Sequence, residues 1–515
     1  MNNQCVRSFN IRGFFLGLLL LSAVSLSGQA LKNNHPNIVL IYSDDVGYGD
    51  VSCYGANTIA TPNIDKLAAA GTRFSNAHTT SATCTPSRFS LLTGQYAWRK
   101  KGTNVAPGNA SLIIPVDKGT LPRMLQGAGY TTGVVGKWHL GLGGENGPTW
   151  TEDIKPGPLE IGFNYSFIIP ATGDRVPCVY VENHRIVNLD PADPIIVSYA
   201  EPVNPNDPTG KKNPELLKMH PSHGHDQTIV NGVSRIGYMA GGQSALWKDE
   251  DMADVITQKA IDFINQNKNN RFFLYFSTHD IHVPRMPHAR FEGKSGMGPR
   301  GDAMLQLDWS VGQVIEALKK NNLLQNTLII FTSDNGPVID DGYKDQAVEK
   351  LGNHKASGSL RGGKYSAFEA GTRVPLIVAW KGTVAEGKIS DALFSQVDMY
   401  ASLAALTGQT ITTGDAPDSK NYLNTLLHKS GKPREWVVEQ SVNSTLSLIQ
   451  SEWKYIEPSG GPKKILETNT ELGNDNQPQL YNLNEDIGEK TNKVAEFPEK
   501  VSAMEELLRK IKINQ

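Results

Sequence analysis

Short apolar runs without polar alternation recur along the chain, separated by stretches with helical spacing. Asn37-Ile38-Val39-Leu40-Ile41-Tyr42 and Leu328-Ile329-Ile330-Phe331 are two such runs. Strands buried on both faces carry this pattern, because neither face meets water. Tyr130 to Val135, Phe272 to Phe276 and Val374 to Trp380 read as further strands. Helices are predicted from Thr61-Pro62 to a stop at Gly71, from Thr120 to Gln126, from Asp251 to Gln266 and from Met304 to Asn321. This alternation predicts an α/β fold with a doubly wound, mostly parallel central sheet covered by helices. Ligands in such folds gather outside the carboxyl ends of the strands. The first two runs end there in acidic tips, Ser43-Asp44-Asp45 and Thr332-Ser333-Asp334-Asn335-Gly336.

Between about 150 and 246 the pattern weakens and Pro, Asn, Asp, His and Gly accumulate, which predicts a loop-rich insertion over the sheet. After Gly382 the texture changes again. Asp398 to Leu406 reads as a helix, Trp436 to Glu457 alternates as antiparallel strands do, and Val501 to Ile511 reads as a closing helix. The expected organisation is a signal peptide over 1–30, a catalytic α/β domain over 31–382 and a smaller C-terminal α+β domain with an antiparallel sheet over 383–515.

The 50 Lys and Arg nearly balance the 52 Asp and Glu, for a formal charge of −2. No concentrated basic face is expected, which argues against nucleic acid or a membrane surface as partner. Arg7 and Arg12 precede an apolar stretch from Phe14 to Val24 and small residues up to Ala30, the pattern of a secretory signal peptide. The stretch is shorter than the ~20 residues a membrane span needs. An exported protein, periplasmic or secreted and free of the membrane after cleavage, is expected. Cleavage would remove Cys5 and leave Cys53, Cys84 and Cys178, an odd number. Whether Cys53 and Cys178 pair is left open by the sequence.

Several polar motifs fall at the predicted sheet edge. Cys84-Thr85-Pro86-Ser87-Arg88 begins a helix, with Thr85 as its expected N-cap and Gly94 as its stop. Unpaired N–H groups and the helix dipole favour an anion at such a terminus. Asp44, Asp45, Asp334 and Asn335 offer an all-oxygen shell suited to Ca²⁺ or Mg²⁺ and poorly suited to zinc. Lys137 and His139 in Gly136-Lys137-Trp138-His139 would share a strand face. His279 and His282 follow the strand ending at Phe276, and Lys364 follows Gly362-Gly363.

Together these motifs resemble those of formylglycine-dependent sulfatases, the arylsulfatase-like family of the alkaline phosphatase superfamily. The resemblance runs from Asn37 to the Gly488-Glu489-Lys490-Thr491-Asn492 stretch, and it extends to bacterial exported glycosulfatases. It implies that Cys84 is oxidised to formylglycine by a formylglycine-generating or anaerobic sulfatase-maturating enzyme. It further implies a divalent ion, usually Ca²⁺, held by Asp44, Asp45, Asp334, Asn335 and the modified residue 84. The implied catalytic set is Cys84, Arg88, Lys137, His139, His282 and Lys364, with His282 preferred over His279 as the acid. Gln95 departs from the family pattern, where Arg often follows Leu-Thr-Gly.

The implied reaction is hydrolysis of a sulfate monoester on a sulfated carbohydrate. Galactose or N-acetylgalactosamine in mucin O-glycans or glycosaminoglycans such as chondroitin is the expected substrate, by analogy. Asp174, Arg175, His223 and His225 in the insertion are candidate partners for sugar hydroxyls. Two alternatives are a phosphomonoester or phosphonate hydrolase on the same core and a non-catalytic sulfated-glycan binding protein. The first predicts a Ser or Thr nucleophile and a histidine-rich zinc shell, and the second an unmodified Cys84.

Overall fold

The computed structural model describes residues 35–513 together with Met1. The segment read as a signal peptide therefore lies, Met1 apart, outside the described residues. Among the described residues no helix is long and apolar enough to cross a membrane.

The large sheet contains ten strands: β1 (Asn37–Ser43), β2 (Thr72–Phe74), β3 (Thr131–Lys137), β4 (Tyr165–Ile169), β5 (Val181–Glu182), β6 (Arg185–Ile186), β7 (Phe272–Ser277), β8 (Thr327–Ser333), β9 (Leu376–Ala379) and β10 (Lys388–Ser390). Their order is β10-β2-β9-β8-β1-β7-β3-β4-β5-β6. The five strands from β8 to β4 are mutually parallel, and antiparallel pairs flank them on both sides. Ile38 to Tyr42 in β1 are fully buried, as are Phe272 to Phe276 in β7, so the runs lack polar alternation because helices cover both faces. Register does the work that matters for function. Ser43 lies opposite Ser333, so the acidic tips leave neighbouring parallel strands at one level.

β4, β5 and β6 fall inside the stretch read as loop-rich insertion. Tyr-Ser-Phe-Ile-Ile is too short and too isolated among turn residues to stand out, yet it pairs with β3 and carries the chain toward Asp174. The helices are α1 (Pro62–Ala69), α2 (Cys84–Thr93), α3 (Leu121–Gly127), α4 (Met252–Gln266) and α5 (Gly298–Lys320). α5 begins earlier than the apolar periodicity at Met304 indicates. Pro299 suits its first turn, and Arg300 forms a buried bidentate pair with Asp50 at 2.7 and 2.8 Å. Asp308 of α5 accepts hydrogen bonds from the backbone N–H groups of Asn63 and Ile64, both at 2.9 Å, and so satisfies the start of α1.

α6 (Met399–Leu406) precedes a second, antiparallel sheet of β11 (Trp436–Gln440), β12 (Leu446–Gln450), β13 (Trp453–Ile456) and β14 (Gln479–Asn482). α7 (Pro498–Ile513) buries Val501, Met504, Leu508 and Ile511 against Val438, Leu448 and Leu480 of that sheet. A buried charge cluster ties this sheet to the segments around β2 and β9. Lys454 Nζ lies 2.9 Å from Glu369 Oε1, 3.2 Å from Glu439 Oε2 and 3.7 Å from Glu489 Oε1, and His78 Nδ1 lies 2.7 Å from Glu439. Burial pushes the Glu489 carboxyl up to about 8, despite Lys454. Removing the lysine would leave uncompensated buried acids. Lys454→Met should therefore destabilise the protein by about 3–5 kcal/mol, read as a lower midpoint in denaturant unfolding.

Candidate active site

Asp44, Asp45 and Asp334 offer oxygens that all lie within 4.8 Å of one another, in a fully enclosed position. Each has a cationic neighbour. Lys137 Nζ donates to both Asp44 oxygens at 2.7 Å, Lys364 Nζ donates to Asp45 Oδ2 at 2.9 Å, and Arg88 donates to Asp334 Oδ2 through Nε at 3.0 Å and Nη2 at 2.7 Å. Arg88 also donates to Ser277 and stacks over Tyr42, so its guanidinium is used within the protein. Compensation is incomplete at two of the acids. Burial raises Asp44 well above the usual carboxylate range and also raises Asp45, whereas Arg88 and Lys137 outweigh burial at Asp334 and lower it.

The donor set fits a hard cation. Asn335 Nδ2 donates to Asp45 Oδ1 at 2.7 Å and to the Gly336 carbonyl at 2.9 Å, which directs the buried Oδ1 elsewhere with no hydrogen-bond partner. An orphaned amide oxygen beside three carboxylates matches the oxygen preference of Ca²⁺ or Mg²⁺. Gly336 permits the turn after Asn335, since a Cβ there would lie 1.6 Å from the Ala370 carbonyl oxygen.

Cys84 is the first residue of α2 and is 2% exposed. Thr83, and not Thr85, occupies the N-cap position, and its side chain makes no capping bond. Thr85 has a different use: its Oγ1 donates to the His139 carbonyl at 3.0 Å and accepts from the Ala106 N–H at 3.2 Å. His139 Nε2 faces the Ala106 carbonyl at 2.9 Å and Nδ1 faces Cys84 Sγ at 3.2 Å. A carbonyl only accepts, so Nε2 carries the proton and the Nδ1 lone pair points at residue 84. Burial, then Lys137 and Arg175, holds His139 well below its ordinary value, and burial raises the Cys84 thiol. Lys137 ends β3 while His139 lies beyond it with φ of 57°, so the two do not share a strand face.

The remaining motifs close the site. His282 donates through Nδ1 to the Val283 carbonyl at 2.8 Å, and Nε2 lies 4.0 Å from Asp45 Oδ2. His279 instead accepts from the Gly173 N–H at 2.8 Å. Arg175 donates to Asp174 at 2.8 and 3.0 Å, His225 Nε2 lies 3.0 Å from Asp174 Oδ2, and His282 Nδ1 lies 4.0 Å from Asp174 Oδ1. Against burial, Arg175 and His225 hold Asp174 well below the usual range. His223 stands further out, bonded to Ser222 and 3.9 Å from Asp340. Two residues escaped the sequence reading. Asp341 accepts from Lys364 at 2.8 Å and from the Tyr365 hydroxyl at 2.7 Å, and Tyr365 adopts φ of 81°. Adjacency to Lys364 was the available signal for Tyr365. Asp45 and His139 also have positive φ, which their residue types tolerate, whereas Tyr365 is a bulky residue for which that region is an outlier.

A family model described as Sulfatase matches residues 36–409. The chain belongs to the sulfatase family. It is 56% identical over 481 residues to an N-acetylgalactosamine-6-O-sulfatase of Bacteroides thetaiotaomicron, covering 93% of this chain and 94% of the relative. Human arylsulfatase A is 34% identical over 410 residues, covering 78% of this chain and 69% of that protein. A solved structure from work on glycosaminoglycan metabolism by Bacteroides thetaiotaomicron superposes with a TM-score of 0.92 at 55% identity, covering 93% of this chain and 99% of that one. A Pseudoalteromonas sulfatase structure gives 0.69 at 25% identity, covering 96% and 95%. This sulfatase is accordingly an enzyme of sulfate ester hydrolysis.

Thr85 joins two segments that hold the His139 ring against residue 84. Thr85→Val would strip a partner from a buried carbonyl and a buried N–H at once. The expected result is a kcat lower by about 10–100-fold with KM little changed, measured by steady-state sulfate release.

Proposed function

We propose that this sulfatase removes the 6-O-sulfate of N-acetylgalactosamine from glycosaminoglycans or mucin O-glycans. The reading of the chemistry is carried by one observation, the convergence of Cys84, His139, Lys137, Lys364 and His282 around the acidic tips. The substrate reading is supported by the 56% identity to the Bacteroides N-acetylgalactosamine-6-O-sulfatase over 93% of the chain. Against a phosphohydrolase reading, the helix start offers Cys84 in place of a hydroxyl nucleophile, and although His279 and His282 come near Asp44 and Asp45, the three carboxylates with the orphaned Asn335 oxygen favour a hard cation over zinc.

Asp44, Asp45, Asp334 and Asn335 would hold Ca²⁺, together with residue 84. When bound, the ion supplies Lewis-acid polarisation of a sulfate oxygen, and residue 84, once oxidised to formylglycine by a maturating enzyme, supplies a hydrated aldehyde as the group that meets sulfur. His139 acts as base toward residue 84 through its Nδ1 lone pair, since Nε2–H is committed to Ala106. Lys137 and Lys364 offset charge on the sulfuryl oxygens. Burial alone would lower the Lys364 ammonium, but Asp341 and Asp45 hold it well above its ordinary value, so it keeps its proton. His282 is the partner for the departing alcohol, with Nδ1–H bonded to Val283 and Nε2 facing the site; burial, then Lys364 and Lys137, holds the ring well below its ordinary value, so Nε2 donates only after taking up a proton from solvent. Arg88 positions Asp334. Asp174, Arg175, His225 and, at the rim, His223 meet sugar hydroxyls. Export to the periplasm or beyond, after removal of residues 1–30, suits a sulfated glycan substrate.

The test is sulfate release from defined saccharides by protein produced with a maturating enzyme. N-acetylgalactosamine 6-sulfate should be desulfated and the 4-sulfate left intact, and Cys84→Ala should abolish turnover with an unchanged melting temperature. Full activity in Cys84→Ala, or release from the 4-sulfate alone, would overturn the proposal.

A further inference from the structure

A cavity of about 30 Å³ lies behind the loop that carries His282, between α4 and α5. Thr257 of α4, Thr278 and Asp280 of the loop, Ser310 of α5 and Gln306 line it. None of these residues takes part in the chemistry described above. The space suits roughly one or two water-sized occupants.

Three hydroxyls on this wall, Thr257 Oγ1, Thr278 Oγ1 and Ser310 Oγ, are buried and have no hydrogen-bond partner. Their residues are only 1–2% exposed. Thr257 and Ser310 sit inside helices, where the usual resort of a buried hydroxyl is the carbonyl one turn back. Neither takes it. Buried orphan hydroxyls are costly, and three on one cavity wall call for a common occupant.

The charge on the wall narrows what that occupant is. Asp249 also lines the cavity, but Arg235 pairs with it at 2.7 and 2.9 Å. Asp280 has no such partner: among the described residues, no Lys, Arg or His forms an ion pair with it. Its side chain receives one neutral hydrogen bond, from Gln306 Nε2 to Oδ1 at 3.1 Å. Asp254, the other acid that bears on Asp280, is itself paired with Arg290. Desolvation pushes the carboxyl of this partly buried, unpaired acid up to about 7.

We propose that this cavity is a binding site for a monovalent alkali cation, held by Asp280 and the hydroxyls of Thr257, Thr278 and Ser310. One carboxylate and three neutral oxygens supply one compensating charge and a hard shell of low total charge. Calcium sites draw on more carboxylates than this wall provides. A potassium or rubidium ion is close to water in size and fits the space. Bound there, the ion joins α4 and α5 to the loop that presents His282, and so supports the reactive edge from behind. The site is separate from the acidic tips and does not depend on the substrate or on the state of residue 84.

The experiment uses the full-length mature protein crystallised in rubidium chloride, with diffraction recorded at the rubidium edge, alongside melting curves in rubidium chloride and in choline chloride at equal ionic strength. An anomalous peak in the cavity is expected, together with a saturable rise in Tm of about 2 °C that choline does not give. Ser310→Ala and Thr257→Val, each checked for folding by circular dichroism, should lose the peak and the rise. Ordered water without anomalous signal in the wild-type cavity, or the same Tm in both salts, would overturn the proposal. Retention of the peak and the salt effect in both folded variants would overturn the assignment of these hydroxyls as ligands.

Discussion

The structure depends on negative charge buried at the tips of two adjacent parallel strands. Because Ser43 and Ser333 are in register, Asp44-Asp45 and Asp334-Asn335 emerge side by side and cannot avoid one another. Two like charges 4 Å apart repel by about 4 kcal/mol at the effective dielectric of protein sites, before desolvation is counted. Arg88, Lys137 and Lys364 answer this, one toward each acid. Asp341 adds a fourth carboxylate against those three cations, so the cluster keeps net negative charge. The raised Asp44 and Asp45 carboxyls register the deficit, and the orphaned Asn335 oxygen marks where a cation finds a ligand.

The reactive residue is placed by the same constraint. Arg88 is one turn along α2 from Cys84, and its hold on Asp334 fixes that helix over the tip of β8. His139 then reaches Cys84 only because the chain turns sharply after β3. Gly136, at φ of 111°, lies so close to the Ser277 carbonyl that a Cβ would be 1.8 Å from it. The outlying backbone at Tyr365 is held by two bonds of 2.7 Å, from its N–H to the Ala82 carbonyl and from its hydroxyl to Asp341.

The parallel core was legible because its strands are apolar throughout, and the acidic tips were legible because Asp-Asp and Asp-Asn interrupt such runs abruptly. Register between β1 and β8 is a tertiary fact that neither run contains. β4 was missed because four apolar residues and one serine among turn formers carry no helical or alternating signal, and its partner β3 supplies the stability that periodicity would otherwise advertise. The start of α5 was missed because Gly298-Pro299-Arg300-Gly301 has no apolar spacing, and a salt bridge to Asp50, distant in sequence, secures it. Thr85 was assigned the commonplace use of its residue type, a helix cap, while its hydroxyl bridges two loops that sequence distance separates. Asp341 lay in a polar turn and had no local feature to distinguish it from solvated loop acids.

Calorimetric titration of the metal-stripped protein with Ca²⁺ tests the central claim most directly. One ion per chain should bind, and Asn335→Ala should weaken it at least about tenfold while leaving the fold intact. No binding by the folded protein, or an affinity unchanged in Asn335→Ala, would contradict the account.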